Sequence, residues 1–276
     1  MRKAKDKTLK FLMSLCAAVT CLLLIGLIGY LLYRGIPGIN AKFLTTQTSY
    51  ISDSIGILPN ILNTLYLIVL VMIIVVPLGV GAAVYLTEYA SNKRISNAIG
   101  FAVETLTGIP SIIFGLVGML FFTQILGLRQ GILAGSLTLI IMVLPTVISN
   151  TKESLLAVPQ SYREGALALG SGKWHMVRTV VLPNAVDGIV TGCILAVGRV
   201  VGESAAVLFT AGFGLKLLGF AEALQSSAAS LTVALYIYAS EEGKFDVAFS
   251  IAVILICITL IINLAASLVG KKVRKS

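Results

Sequence analysis

The sequence predicts an all-α, polytopic membrane protein with about six transmembrane helices, and three observations predict it. Of 276 residues, 57% are hydrophobic and only 12% charged, and the mean hydropathy is +0.98. A soluble domain cannot bury that much apolar surface, so lipid is the expected solvent. The apolar residues gather into windows near the length of about 20 that crosses a bilayer. No barrel-like alternation runs through these windows, and backbone groups in hydrocarbon must bond within their own segment, so the windows read as helices.

Taken in order, a basic stretch at 1–10 precedes the first window, 11–33. Its start resembles a signal peptide, but the apolar run of about 23 residues is too long for one. No small-residue cleavage site follows, and Leu15 is a poor neighbour for a lipid-modified Cys16. An uncleaved first helix is expected. A polar loop at 34–60 leads to the second window, 61–86, in which Pro77 is expected to introduce a bend, as a packing feature or as a hinge. A short charged loop at 87–104 precedes the third window, 105–128, opened by Gly108-Ile109-Pro110-Ser111. Pro110 suits a first helical turn, with Gly108 or Ser111 relieving the backbone. The turn Gly127-Leu128-Arg129-Gln130-Gly131 makes an antiparallel hairpin with the fourth window, 131–148. After the polar loop 149–184 comes the fifth window, 185–208, the one that carries charge: Asp187, Arg199 and Glu203. The loop 209–246 is apolar at first and acidic at its end, which fits a helix at the interface or on the outer mouth. The last window is 247–269, and 271–276 are basic. The sequence thus reads as one core at 61–270 with no appended soluble domain.

The net charge of +9 has a distribution that speaks against nucleic acid. With the N-terminus in the cytoplasm, inner segments hold fifteen of the 21 lysines and arginines, outer segments five, and Arg199 lies within a span. This bias is the positive-inside rule, and it puts both termini on the cytoplasmic side of an inner membrane. The four cysteines, 16, 21, 193 and 257, all fall in spans, which gives no disulfide framework and no metal spacing. The single histidine, His175, sits beside Trp174 and Lys173 and reads as a solvated or interface residue. No catalytic constellation occurs, so an enzyme is not expected.

Two segments carry function. In the first, Ser161-Tyr162-Arg163-Glu164 reads as a capping box with Ser161 as N-cap and Glu164 reaching back to it. A helix from Tyr162 to Leu169 follows, ended by Gly170 in the left-handed conformation. A second helix is expected from about Gly172 to Leu182, with Pro183 blocking its continuation as a simple rod. Gly165, Ala166 and Ala168 are small enough for another protein to approach closely. In the second segment, Arg199 and Glu203 stand four residues apart, on one helix face. Charges inside a span face a partner or a water path. Here they are either a structural ion pair or a pathway site in which Arg199 attracts an anion and Glu203 keeps it from trapping that anion.

The spacing from Glu164 through Gly170 to Val180-Val181-Leu182-Pro183 resembles the EAA loop of ABC importer permeases, with Gly165 in place of the first alanine and Val180 in place of isoleucine. Further segments, Gly108 to Ser111, Arg199 to Thr210 (RVVGESAAVLFT) and Leu231-Thr232-Val233 with Tyr236, are similar to phosphate ABC importer permeases of the PstA type. The resemblance runs from about residue 60 to the end and implies a type I importer permease fold. It implies that the loop, through Ser161, Glu164, Gly165, Ala166, Gly170, Leu182 and Pro183, couples to a separate cytoplasmic ATPase. The chain lacks a P-loop of its own, so ATP and Mg are expected on that partner and no cofactor on this chain. The implied assembly is a heterodimer with a second permease, two ATPase subunits and an external phosphate-binding protein, working by alternating access. A permease for another oxyanion, sulfate or molybdate, is the nearest alternative; a secondary transporter is a further one.

Overall fold

The structure, a computed structural model, describes residues 2–49, 54–90 and 92–275. The side chains of residues 2–5, of Lys93 and of residues 273–275 lie outside it, and with them part of the basic termini.

Helix α1 (Arg2–Gly35) is followed by a short helix α2 (Ala41–Thr45) and a two-stranded antiparallel hairpin, β1 (Gln47–Ser49) and β2 (Ser54–Ile57). Asn40 caps α2 by accepting from the Phe43 N–H at 2.8 Å. Helix α3 (Leu58–Val84) continues into a π turn, Tyr85–Tyr89. Then come α4 (Lys93–Thr107), α5 (Ser111–Gly118) with a π turn Met119–Ile125, α6 (Ile132–Ala157), α7 (Gln160–Ala168) and α8 (Lys173–Met176) with a π turn Val177–Val181. The remainder is α9 (Leu182–Gly202), α10 (Ala205–Thr210), α11 (Phe220–Ala223), α12 (Leu231–Tyr236) with a π turn Ile237–Glu241, and α13 (Phe245–Lys275). Five helical runs among the described residues are long and apolar enough to cross a membrane: Asp6–Gly38, Leu58–Tyr89, Ile132–Leu156, Lys173–Gly202 and Phe245–Lys272.

The sixth expected span is bent. Helices α4 and α5 meet at 100°. Gly108 caps the end of α4, and Pro110, extended at φ −58° and ψ 139°, precedes α5. The Gly-Ile-Pro-Ser segment does open a helix, α5, as expected, but it is also the corner at which that helix turns away from α4. A residue before proline is pushed out of helical geometry, and proline cannot donate the bond that would carry α4 onward. The expected loop 87–104 is mostly the amphipathic helix α4. Pro77, by contrast, sits within α3, which the chain traverses without interruption.

The core lies between α3, α6, α9 and α10, where Leu67, Val71, Val75, Leu139, Met142, Val143, Ala196, Val200 and Val207 are buried together. Lipid tails are as apolar as these side chains, so close packing holds such helices together. Small residues permit it. A Cβ on Gly192 would lie 2.8 Å from the Cβ of Asn150, one on Gly188 would collide with Ser154, and one on Gly79 would lie 2.7 Å from Val147. Helix α5 crosses α10 at Gly115, where an added Cβ would lie 2.7 Å from Ala206 Cα. Helix α1 stands apart. Leu22, Leu23 and Ile25 are exposed, and its packing on α13 is near its end, through Tyr30 against Phe249 and an Arg34–Asp246 ion pair of 3.0 Å.

The expected surface helix in 209–246 is, in its second half, an inserted one. Leu231, Val233, Ala234 and Tyr238 are buried. The side-chain amides of Asn60 and Asn63 both donate to the Ala229 carbonyl, and Thr64 Oγ1 accepts from the Leu231 N–H at 2.9 Å. Gly212, at φ 86°, turns the preceding strand of chain onto Ser227, whose Oγ accepts from the Phe213 and Gly214 N–H groups.

Candidate functional site

At one end of the bundle, α7 and α8 form the helical elbow that the sequence anticipates. Its start differs from expectation. Pro159, at φ −56° and ψ 138°, opens α7, and no side chain caps it. Ser161 falls inside the first turn, so the Ser161–Glu164 capping box does not form; both residues are exposed. Proline fixes the entry two residues earlier than the Ser/Glu pattern alone would place it. The other end agrees with expectation. Gly170 has φ 79°, and its N–H reaches the Leu167 carbonyl at 3.0 Å while the Ser171 N–H reaches that of Ala166 at 3.2 Å. These paired bonds are a Schellman ending.

Pro183 does not stop the second helix. The helical run is continuous from Lys173 to Gly202. The π turn Val177–Val181 lies just ahead of the proline, where the ring removes a ladder bond. Asn184 Nδ2 donates to the Val180 carbonyl at 2.7 Å. The fifth span thus begins well before residue 185. Leu182 is half-buried against the cluster of Ala83, Val84, Leu155, Val158, Met176 and Val181, and Pro183 is exposed.

One stripe of α7 faces the protein, Arg163 and Ala166. The rest of it is open. Tyr162, Leu167 and Leu169 are exposed, Leu169 to 90%, and a Cβ on Gly165 would meet nothing within 4 Å. This is a small, partly apolar convex surface able to seat in a groove of another protein.

Arg163, which sequence reasoning counted only as a positive charge, is the anchor. Its Nε and one Nη donate to Glu88 Oε1 at 3.0 and 2.8 Å, and its two Nη atoms reach the carbonyls of Val158 at 2.7 Å and Leu155 at 2.8 Å. The pair is nearly dry, with the two side chains 11% and 6% exposed. Leu155 lies in the last turn of α6 and Val158 is its C-cap, where carbonyls lack the usual partner four residues on, and Glu88 lies in the π turn that follows α3. Lys173 at the start of α8 sits over the Tyr89 ring at 5.1 Å. The available signal was a lone acid at the end of the second span with an arginine inside the motif loop.

Arg199 and Glu203 do not share a helix face. Helix α9 ends at Gly202, and Glu203 is extended at φ −81° and ψ 117°. Glu203 turns instead to α10, where its Oε1 accepts from the Ala206 N–H at 3.0 Å, and its carbonyl accepts from Thr232 Oγ1 at 2.9 Å. The expected ion pair is absent among the described residues. Arg199 lies in the last turn of α9, half-buried, with no hydrogen bond or ion pair to another described residue. A cation there is favoured by the negative end of the helix dipole, by about 0.3–1 kcal/mol. Ser204, which follows Glu203 in the chain, and Tyr236 line a cleft of about 190 Å³ with Ile112, Leu208 and Phe209.

Comparison with known proteins agrees with this architecture. The pattern describing the binding-protein-dependent transport system inner membrane components matches residues 75–275. The probable ABC transporter permease protein YqgI of Bacillus subtilis is 36% identical, over 99% of this chain and 98% of its own. The phosphate transport system permease protein PstA of Xylella fastidiosa is 32% identical, over 86% of this chain and 82% of its own. Among solved structures, a bacterial alginate ABC transporter in complex with an alginate pentasaccharide-bound periplasmic protein superposes with a TM-score of 0.69, covering 100% of this chain and 98% of that one. At 17% identity that likeness speaks for the fold. Such permeases are transport components and not themselves enzymes. The chain belongs to the binding-protein-dependent transport system inner membrane components and is a permease subunit of an ABC importer.

Proposed function

We propose that this permease imports inorganic phosphate. The observation that carries the reading is Arg199, a half-buried guanidinium at the end of α9 left without a partner among the described residues. A planar cation with five donors suits an oxyanion. The relatives named as phosphate permeases, such as the one from Xylella fastidiosa, support the same solute, as does the stretch from Arg199 to Thr210. Glu203 contributes by holding α10 against the end of α9 and by placing a negative charge near the path, which lets the anion leave again.

In this reading α7 and α8 lie in the cytoplasm with both termini, and a partner ATPase seats the exposed face of α7. ATP and Mg bind on that partner. The working assembly is this chain, a second related permease, two ATPase subunits and an external phosphate-binding protein docked at the opposite end. ATP binding draws the ATPases together, the elbows follow, and the bundle switches between inward- and outward-facing states. Uptake of radiolabelled phosphate and sulfate by vesicles holding the whole assembly tests the proposal. ATP-dependent phosphate accumulation, with sulfate excluded, supports it. Accumulation of sulfate in place of phosphate, or phosphate uptake by this chain without any ATPase, overturns it.

A further inference from the structure

We infer that Arg163 and Glu88 form the positioning couple through which the elbow moves the bundle. The inference rests on the reading of α7 as the ATPase-facing element.

Of the α7 side chains, Arg163 and Ala166 are the two that are not exposed. Ala166 makes apolar contact with the cluster around Val177 and Val181, which can slide. The Arg163 contacts are directional. One guanidinium reaches the end of α3 through Glu88 and the end of α6 through the carbonyls of Leu155 and Val158. A displacement of α7 therefore reaches two membrane-crossing helices through one rigid, planar group. The pair is shielded from water, so salt and solvent do not loosen it.

The segments on either side are built to give. Glu88 lies in the π turn Tyr85–Tyr89, and the run that leads from α8 into α9 contains the π turn Val177–Val181. Each carries a wider backbone turn than an α-helix, the local irregularity that recurs where helices must adjust. Between the two turns sits a compact apolar cluster containing Ala83, Val84, Leu155, Val158, Met176 and Val181. Arg163 thus ties the ends of α3 and α6 to the elbow, beside that cluster.

The experiment uses the full assembly reconstituted in vesicles, with Arg163→Lys, Glu88→Gln and the double variant. Both substitutions keep size and polarity, and co-purification of the ATPase subunits with detergent-phase melting reports that each variant is assembled. The readout is phosphate moved per ATP hydrolysed. The couple predicts a fall of about five-fold or more in each single variant, no further fall in the double, and recovery in Glu88→Asp. Stability loss alone lowers the amount of complex and leaves this ratio unchanged. A ratio at the wild-type value in Glu88→Gln, or fully multiplicative losses in the double variant, overturns the inference. Failure of the wild-type chain to capture any ATPase overturns the underlying reading of α7 instead.

Discussion

Two arginines of this chain are put to opposite use. Arg163 is buried, and its guanidinium meets one carboxylate and two main-chain carbonyls. Arg199 is half-buried and makes no hydrogen bond or ion pair to the described residues. The first has given up hydration and recovered it in fixed bonds, which makes it a structural link. The second keeps its donors available at a helix end whose dipole tolerates the charge. A buried cation with four of its five donors engaged has little left to offer a passing solute, and a cation with none engaged cannot transmit force. In the proposed reading, the difference separates the coupling end of the molecule from the solute path.

The strongest way to break that contrast is Arg163→Ala. It leaves Glu88 buried and uncompensated at a cost of about 3–5 kcal/mol, and the variant is expected to accumulate poorly in membranes and to melt earlier in detergent. Next is Gly192→Leu, at the α6–α9 contact with Asn150. Overpacking there costs about 1–3 kcal/mol, seen as a lower melting point in a part of the core that touches neither arginine. Gly170→Ala forces a side chain into the left-handed region at φ 79°, at roughly 1–2 kcal/mol. Its effect is confined to the elbow, so looser binding of the ATPase is expected with little loss of folded permease. The smallest stability change belongs to Arg199→Gln, within about 0.5 kcal/mol. A melting-point drop there as large as that of Arg163→Ala would place both arginines in the same structural class and end the comparison.

Much of this was legible beforehand for physical reasons. Long apolar windows have one outcome in lipid, so five spans and their order follow from composition. Gly170 ends α7 because that backbone geometry favours glycine, and the residue type alone signals it. The errors have a common origin in proline. Pro110 turned a straight span into a corner, Pro159 moved the start of α7 ahead of Ser161, and Pro183, expected to block a simple rod, is carried within a longer helical run by a π turn. Each outcome depends on what neighbouring helices supply, which local sequence does not record. The same holds for Arg199 and Glu203. Their four-residue spacing suggests a pair, but the chain leaves the helix at Glu203 to pack α10 against α5 and α6. Arg163 and Glu88 are 75 positions apart, and no periodicity links them.

The most direct test of the account is phosphate uptake by vesicles holding the assembly with Arg199→Gln, measured beside ATP hydrolysis in the same preparation. The account predicts that hydrolysis and subunit composition persist while phosphate uptake falls by about ten-fold or more. Uptake at the wild-type rate in that variant would contradict it.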